Sequence, residues 1–416
     1  MDLYADDPSS ELADSLTTVL DAYAKLQTRI QQTDNPSGSF DDLQGLGEPK
    51  FHVDGSAFTG SWGRPQRDGP ALRAITLMNY VRAYNASHPS LWQIDTKNSF
   101  YKLMYEADMP ARSVIKADLE YVSHFWNETG FDLWEEVDGM HFFTAMVQLR
   151  ALREGTDIAR AFGDPKAADW YEEQAGYLER FVRRFWNKNK GHLVETLWSR
   201  RSGLDCALLL GSLHAVPSDA SGADPVFPPY SDEVLVSLLA LVRDQRERFP
   251  INIQAITKGR GVSSPLEAAF EGVGVGRYPE DVYDGYGNSI GNPWFLCTSS
   301  AASVLYHTAS HFSTSQSVAV NPLNYEFYTS LLPSSDIQIN TTYTSKDAIF
   351  TDIINRLHGI GDEFLEVVKT HVDAEGSMSE QFDRETGFMR GANDLTWSYG
   401  AFLEAVKARK VASEVS

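Results

Sequence analysis

Residues 231–248 read Ser231-Asp-Glu-Val-Leu-Val-Ser-Leu-Leu-Ala-Leu-Val-Arg-Asp-Gln-Arg-Glu-Arg248, and this stretch decides the fold class. Val234, Leu235, Leu238, Leu239, Leu241 and Val242 recur at spacings of three and four, which gathers them into one apolar stripe of a helix. The polar Ser231-Asp-Glu ahead of them is a helix start signal. The same pattern returns after Pro110, with Val114, Ile115, Leu119, Val122 and Phe125 on one face. Helical readings also fit 9–32, 70–88, 140–162, 164–187, 203–215, 294–312, 345–372 and 394–410, about ten helices in all, whereas alternating strand patterns are scarce. The expectation is an all-α protein whose residues 1–416 form a single domain.

The 416 residues are 42 % hydrophobic and 22 % charged, the balance of a globular chain rather than a disordered or fibrous one. A formal net charge of −21 repels phosphate backbones and anionic lipid, so nucleic acid is not an expected partner. A neutral polyol is indifferent to that field. No run of 18 apolar residues occurs, so no membrane span is expected. Cys206 and Cys297 permit at most one disulfide, in a chain long enough to do without one. The sequons at Asn85, Asn127 and Asn340 lean weakly towards export, but Met1-Asp-Leu-Tyr-Ala-Asp-Asp7 has neither the basic region nor the apolar run of a leader.

Long connections rich in Gly, Pro and aromatics separate the helices at 34–69, 130–139, 257–293 and 376–393, and long loops in compact domains usually bind or catalyse. Thr59-Gly-Ser-Trp-Gly-Arg-Pro-Gln-Arg-Asp-Gly-Pro70 sets Trp62 among hydrogen-bonding side chains, a set that can stack a sugar and hold its hydroxyls, or equally lock a structural loop through Arg–Asp pairs. Gly130-Phe-Asp-Leu-Trp-Glu-Glu-Val-Asp-Gly139 places four acids beside Trp134. Apolar packing raises a carboxyl's pKa until it can protonate a leaving oxygen, though acids before a helix also simply complement its dipole. Gly376-Ser-Met-Ser-Glu-Gln-Phe-Asp383 offers Glu380 as a second carboxylate or as part of a helix cap. In Gly272-Val-Gly-Val-Gly-Arg-Tyr-Pro-Glu-Asp281 the glycines lack the spacing and βαβ setting of a nucleotide loop, leaving Arg277, Asp281 and Trp294 as candidate sugar contacts or loop scaffolding. No His-Glu-x-x-His is present, and the Gly-x-Ser-x-Gly at Gly287–Gly291 lies in a Gly-rich loop with no strand pattern ahead of it, so no metal and no cofactor are expected, and a hydrolase here is expected to be carboxylate-driven.

Taken in order, these loops resemble the fungal glucoamylases of glycoside hydrolase family fifteen. The phrases that carry the resemblance are Gly47-Glu-Pro-Lys-Phe51, Phe58-Thr-Gly-Ser-Trp-Gly-Arg-Pro-Gln-Arg-Asp-Gly-Pro-Ala-Leu-Arg73, Asp132-Leu-Trp-Glu-Glu-Val137, Gly276-Arg-Tyr-Pro-Glu-Asp281, Gly291-Asn-Pro-Trp-Phe-Leu-Cys-Thr298, Gly376-Ser-Met-Ser-Glu-Gln-Phe-Asp383 and Asp394-Leu-Thr-Trp-Ser-Tyr399. The resemblance implies an (α/α)6 barrel, here with about ten of its twelve barrel helices because the family's earlier segment with a Trp-Thr-Arg-Asp motif is missing. It also implies an exo-acting, inverting enzyme that releases β-D-glucose from the non-reducing ends of starch and other α-1,4-glucans, working outside the cell and as a monomer.

By motif position, the resemblance makes Glu135 the general acid and Glu380 the general base. Trp62, Asp132, Trp134, Glu136, Arg277, Asp281, Trp294 and Trp397 become the substrate-binding set. An inverting enzyme needs its two carboxyls roughly 6.5–9.5 Å apart, with Glu135 raised in pKa and Glu380 ionised. Two departures stand out: the cysteines of the family's disulfides are absent, and the loop Asp284-Gly-Tyr-Gly-Asn-Ser-Ile-Gly291 is longer than in the best-known relatives. A carbohydrate-binding remnant without activity is the competing expectation, and a trehalase- or phosphorylase-like barrel a weaker one.

Overall fold

The computed structural model describes residues 10–88, 99–216, 225–253 and 270–415. Part of the Pro-rich stretch 217–229 and of the loop 257–293 therefore lies outside the described residues. The chain divides into two compact units, Met1–Arg184 with His214–Val226, and Phe185–Leu213 with Phe227–Ser416.

The first unit contains α1 (Glu11–Gln31), α2 (Asp68–Ser87), α3 (Ser99–Met104), α4 (Val114–Phe125), α5 (Phe142–Ala161) and α6 (Pro165–Val182). Two of these helices begin with side-chain caps. Ser10 accepts from the Ala13 N–H ahead of α1, and Asp164 accepts from Ala167 ahead of α6, where Pro165 takes the first helical position. α2 packs on α4 and α5, and α5 on α6. Between these helices, two buried cations meet buried carboxylates. Arg73 of α2 forks onto Asp118 of α4 at 2.8 and 2.5 Å, and Lys116 of α4 reaches the capping Asp164 at 2.6 Å. Removing one partner from such a pair strands the other in low dielectric.

The second unit contains α7 (Ala207–His214, whose last residue belongs to the first unit), α8 (Asp232–Arg248), α9 (Phe295–Ser315), α10 (Tyr325–Leu331), α11 (Ala348–His371) and α12 (Thr396–Val415). α8 carries Asp232 and Glu233 in its first turn and Arg246 and Arg248 in its last, matching both ends of its dipole. α9 is buried nearly all round and packs against α11 and α12. Cys206 and Cys297 form a disulfide that ties the start of α7 to the first turn of α9, across 91 residues of chain.

Each of the ten helical stretches expected from periodicity contains a helix. The six-residue α3 and seven-residue α10 are too short to show a period. Among the described residues four two-stranded sheets were equally invisible to alternation, three of them hairpins with strands of two residues: β1 (Gly130–Phe131) with β2 (Asp138–Gly139), β3 (Trp186–Asn187) with β4 (His192–Leu193), and β7 (Gln381–Phe382) with β8 (Met389–Arg390). The fourth pairs β5 (Ser317–Val320) with β6 (Thr341–Thr344). Among the described residues no helix is long and apolar enough to cross a membrane.

Candidate active site

In the first unit Glu135 stands on the tight connection between β1 and β2. Asp132 builds that turn: its buried Oδ1 accepts from the Glu136 and Val137 N–H groups at 2.7 and 3.0 Å, and its carbonyl accepts from the Glu135 N–H at 2.9 Å. The turn holds Glu135 at φ 66°, a left-handed conformation that costs a non-glycine residue on the order of 1 kcal/mol. Such a cost at a carboxylate offered to solvent marks a residue whose direction matters.

The Trp62 loop is packed directly on this turn. Phe131 N–H donates to the Pro65 carbonyl at 2.8 Å, and the Gln66 amide donates to the Asp132 carbonyl at 3.2 Å. A Cβ on Gly63 would lie 2.7 Å from the Glu135 carbonyl, so the approach requires glycine. As a result Trp62 and Gln66 stand beside the Glu135 carboxyl. Its pKa is raised, first by desolvation and also by the Asp132 charge, while Trp62, Lys50 and Gln66 pull it back. Lys50 Nζ lies 3.0 Å over the Trp62 ring, Trp134 is buried beside the acid, and Glu136 is exposed. Asp68, buried at the start of α2, is pushed up to about 6 by burial, with the Asp132 and Glu135 charges adding to the shift.

In the second unit Glu380 immediately precedes β7. Its N–H donates to the Ala392 carbonyl at 2.8 Å, and the Ser398 hydroxyl donates to the neighbouring Ser379 carbonyl at 2.9 Å, which anchors the turn to α12. The Tyr283 hydroxyl donates to the Gly285 carbonyl at 3.2 Å beside the Glu380 carboxyl, and Gln381 Nε2 lies 3.4 Å from Oε2. Burial again raises the pKa most, opposed by Tyr283, Arg277 and Gln381. The phenol responds in kind, pushed up to about 12 by burial and by the carboxylate it serves.

Arg277 forks onto Asp281 at 2.9 and 2.6 Å, with both side chains buried. The guanidinium lies 5.1 Å from the Trp294 ring and 5.3 Å from Tyr283. Trp294 meets Trp397 edge to face at 5.7 Å. A cavity of about 170 Å³ opens beside Arg277, Asp281 and Asn292. Among the described residues no group of three His, Cys, Asp or Glu side chains could hold a metal ion.

Two clusters thus form around Glu135 and Glu380, each within its own unit. The profile of the glycosyl hydrolases of family 15 matches residues 3–407. The chain belongs to glycosyl hydrolase family 15. A glucoamylase of Saccharomycopsis fibuligera is 39 % identical to this family 15 chain over 424 residues, covering 96 % of this chain and 78 % of that protein. A probable glucoamylase of Schizosaccharomyces pombe is 35 % identical, covering 95 % and 76 %. Among solved structures, a glucoamylase from Saccharomycopsis fibuligera superposes with a TM-score of 0.84 at 37 % identity, covering 97 % of this chain and 82 % of that one. A family 15 glucoamylase from Hypocrea jecorina gives 0.79 at 37 %, covering 93 % of this chain and 59 % of its own. These likenesses make the family 15 chain a glycoside hydrolase of the glucoamylase type, with the (α/α)6 barrel fold of those structures.

Motif reading in this family 15 chain missed four residues that touch or bias the two carboxyls. Tyr283, Gln66, Lys50 and Asp68 all lie in or within two residues of quoted phrases, but only the fold reveals which side chain meets which carboxyl.

Proposed function

We propose that the chain is an exo-acting, inverting α-glucosidase that takes α-1,4-glucans such as starch and maltodextrins and releases β-D-glucose from their non-reducing ends. Glu135 is the general acid that protonates the glycosidic oxygen, and Glu380 is the general base that removes a proton from the attacking water. Trp62, Asp132, Trp134, Glu136, Arg277, Asp281, Trp294 and Trp397 are the substrate-binding and supporting set, and the two units work as one catalytic domain. The observation that carries the reading is the Glu135 carboxyl set beside Trp62 and Gln66 on a left-handed turn among further carboxyls, with partial burial raising its pKa. A proton-holding carboxyl is what a leaving oxygen requires.

The proposed setting is extracellular, supported by the acidic charge, the Cys206–Cys297 disulfide and exposed sequons at Asn127 and Asn340. The test is to follow maltotriose hydrolysis by proton NMR from the first turnover. β-glucose appearing ahead of its α anomer supports inversion, α-glucose appearing first removes it, and no glucose at all removes the hydrolase reading.

A further inference from the structure

The loop Asp284–Gly291 is tightly built for a segment so open to solvent. The Asp284 carboxylate accepts from the Tyr286 and Gly287 N–H groups at 2.9 and 2.8 Å and from the Ser289 hydroxyl at 2.6 Å. At its base the Ser289 N–H donates to the Val282 carbonyl at 2.7 Å. From this frame Tyr286 projects with 75 % of its surface exposed. Arg390 of β8 donates from Nε to the Asp284 carbonyl at 2.5 Å and sets its guanidinium 5.2 Å from the Tyr286 ring centre. One face of the phenol is backed by a cation, and the ring as a whole remains largely open.

The loop also abuts the general base. A Cβ on Gly285 would lie 2.9 Å from the Gly391 nitrogen, and a Cβ on Gly391 would lie 2.5 Å from Glu380 Oε2. Tyr283, three residues before Tyr286, donates to the Gly285 carbonyl at 3.2 Å and lies beside the same carboxyl. An ordered, outward aromatic within two such contacts of a catalytic carboxylate has no packing role to explain it. A rigid ring with an open face suits the C–H face of a sugar, which stacks on aromatics with little loss of side-chain freedom.

We propose that Tyr286, backed by Arg390, is the platform of an outer sugar-binding subsite that takes a glucose unit of a longer glucan beyond the two joined by the scissile bond. The inference rests on the proposed reading of the chain as an α-glucan hydrolase. The loop presents the ring before substrate arrives, so binding there requires no ordering of the side chain. The subsite selects chain length and leaves the chemical step untouched.

The test compares kcat/KM on maltose and maltoheptaose for the full chain and for Tyr286→Ala, Tyr286→Phe and Tyr286→Trp. Tyr286→Ala should lower kcat/KM on maltoheptaose about 3- to 10-fold, mainly through KM, while maltose is hydrolysed as before. The Phe and Trp variants should keep the unaltered value on both. Equal losses on both sugars, no loss on either, or a Phe variant as poor as Ala would each overturn the subsite. An unaltered chain that releases no glucose from maltose ends the proposed function and this inference with it, whereas an active chain indifferent to Tyr286 ends the inference alone.

Discussion

Glu135 and Glu380 are built from the same parts, and the way each unit treats neighbouring charge separates them. Each carboxyl belongs to a two-stranded hairpin, is raised in pKa chiefly by burial, has an aromatic side chain beside it that lowers the pKa and feels one cation. The first unit crowds further carboxyls around its glutamate: buried Asp132 and buried Asp68, the latter pushed up to about 6. The second unit pairs its extra carboxyl, because Asp281 is forked by Arg277, so the Asp281 charge is the smallest of the influences on Glu380, which it still raises. Crowded carboxylates favour a retained proton, and paired ones leave a carboxylate free to ionise. In the proposed mechanism identical residues take the acid and base roles through their neighbours.

The largest expected effect comes from removing either carboxyl. Glu135→Gln and Glu380→Gln should each lower kcat on maltose by about 10²–10⁴. On α-glucosyl fluoride, whose leaving group needs little protonation, only the Glu135 variant should recover most of its rate. Equal recovery of both variants in a fluoride-release assay would erase the distinction between acid and base.

Next in size is the staple found in the second unit alone. Removing it by Cys206→Ser with Cys297→Ser should destabilise that unit by about 2–5 kcal/mol. Differential scanning calorimetry and hydrogen exchange resolved by peptide should place the loss in 185–213 and 227–415. A loss centred on the first unit would contradict the division.

Carboxyl crowding itself makes a smaller, pH-dependent prediction. The folded pKa of Asp68 is raised from 3.8 to about 6, so the proton it favours is lost as pH rises, and folding stability falls with it. Asp68→Asn removes that cost. The variant should match the unaltered protein below about pH 4, gain through pH 4–6, and be more stable above it by up to about 3 kcal/mol in urea titrations. A gain independent of pH would mean that Asp68 is not crowded.

The finest contrast lies in the two aromatic side chains that lower the carboxyl pKa values. Trp62→Phe removes an influence that lowers the Glu135 pKa and should move the alkaline limb of the kcat profile upward. Tyr283→Phe does the same to Glu380 and should move the acidic limb upward, because the base then ionises later. Each shift should be a fraction of a unit, read from kcat between pH 3 and pH 8. A variant that moves the opposite limb would exchange the assigned roles.

The long helices were legible because burying one stripe writes a period of three to four into the sequence, as in 231–248. The carboxyl-bearing turns were legible as compositions, four acids with a Trp and a Glu among small residues, and as family phrases. Their hairpins were not, since two-residue strands are held by backbone pairing and by Asp132 and Ser379 rather than by alternation. Nor could spacing assign Tyr283 to Glu380, 97 positions later, or join Cys206 to Cys297. The sequence reading expected only Glu135 to be raised, and the structure raises Glu380 as well because its turn is half-buried against the 281–294 segment. Long-range proximity of this kind is a property of the folded chain.

Gly391 contributes no atom to the chemistry, yet the geometry gives it a catalytic residue's intolerance. It sits at φ +78° with the space of its missing Cβ occupied by Glu380 Oε2. A saturation library at this half-exposed position should therefore yield folded clones in which activity survives almost solely with glycine. A mutational scan would rank it beside the glutamate it makes room for, so intolerance to substitution there records reserved volume rather than a side chain at work.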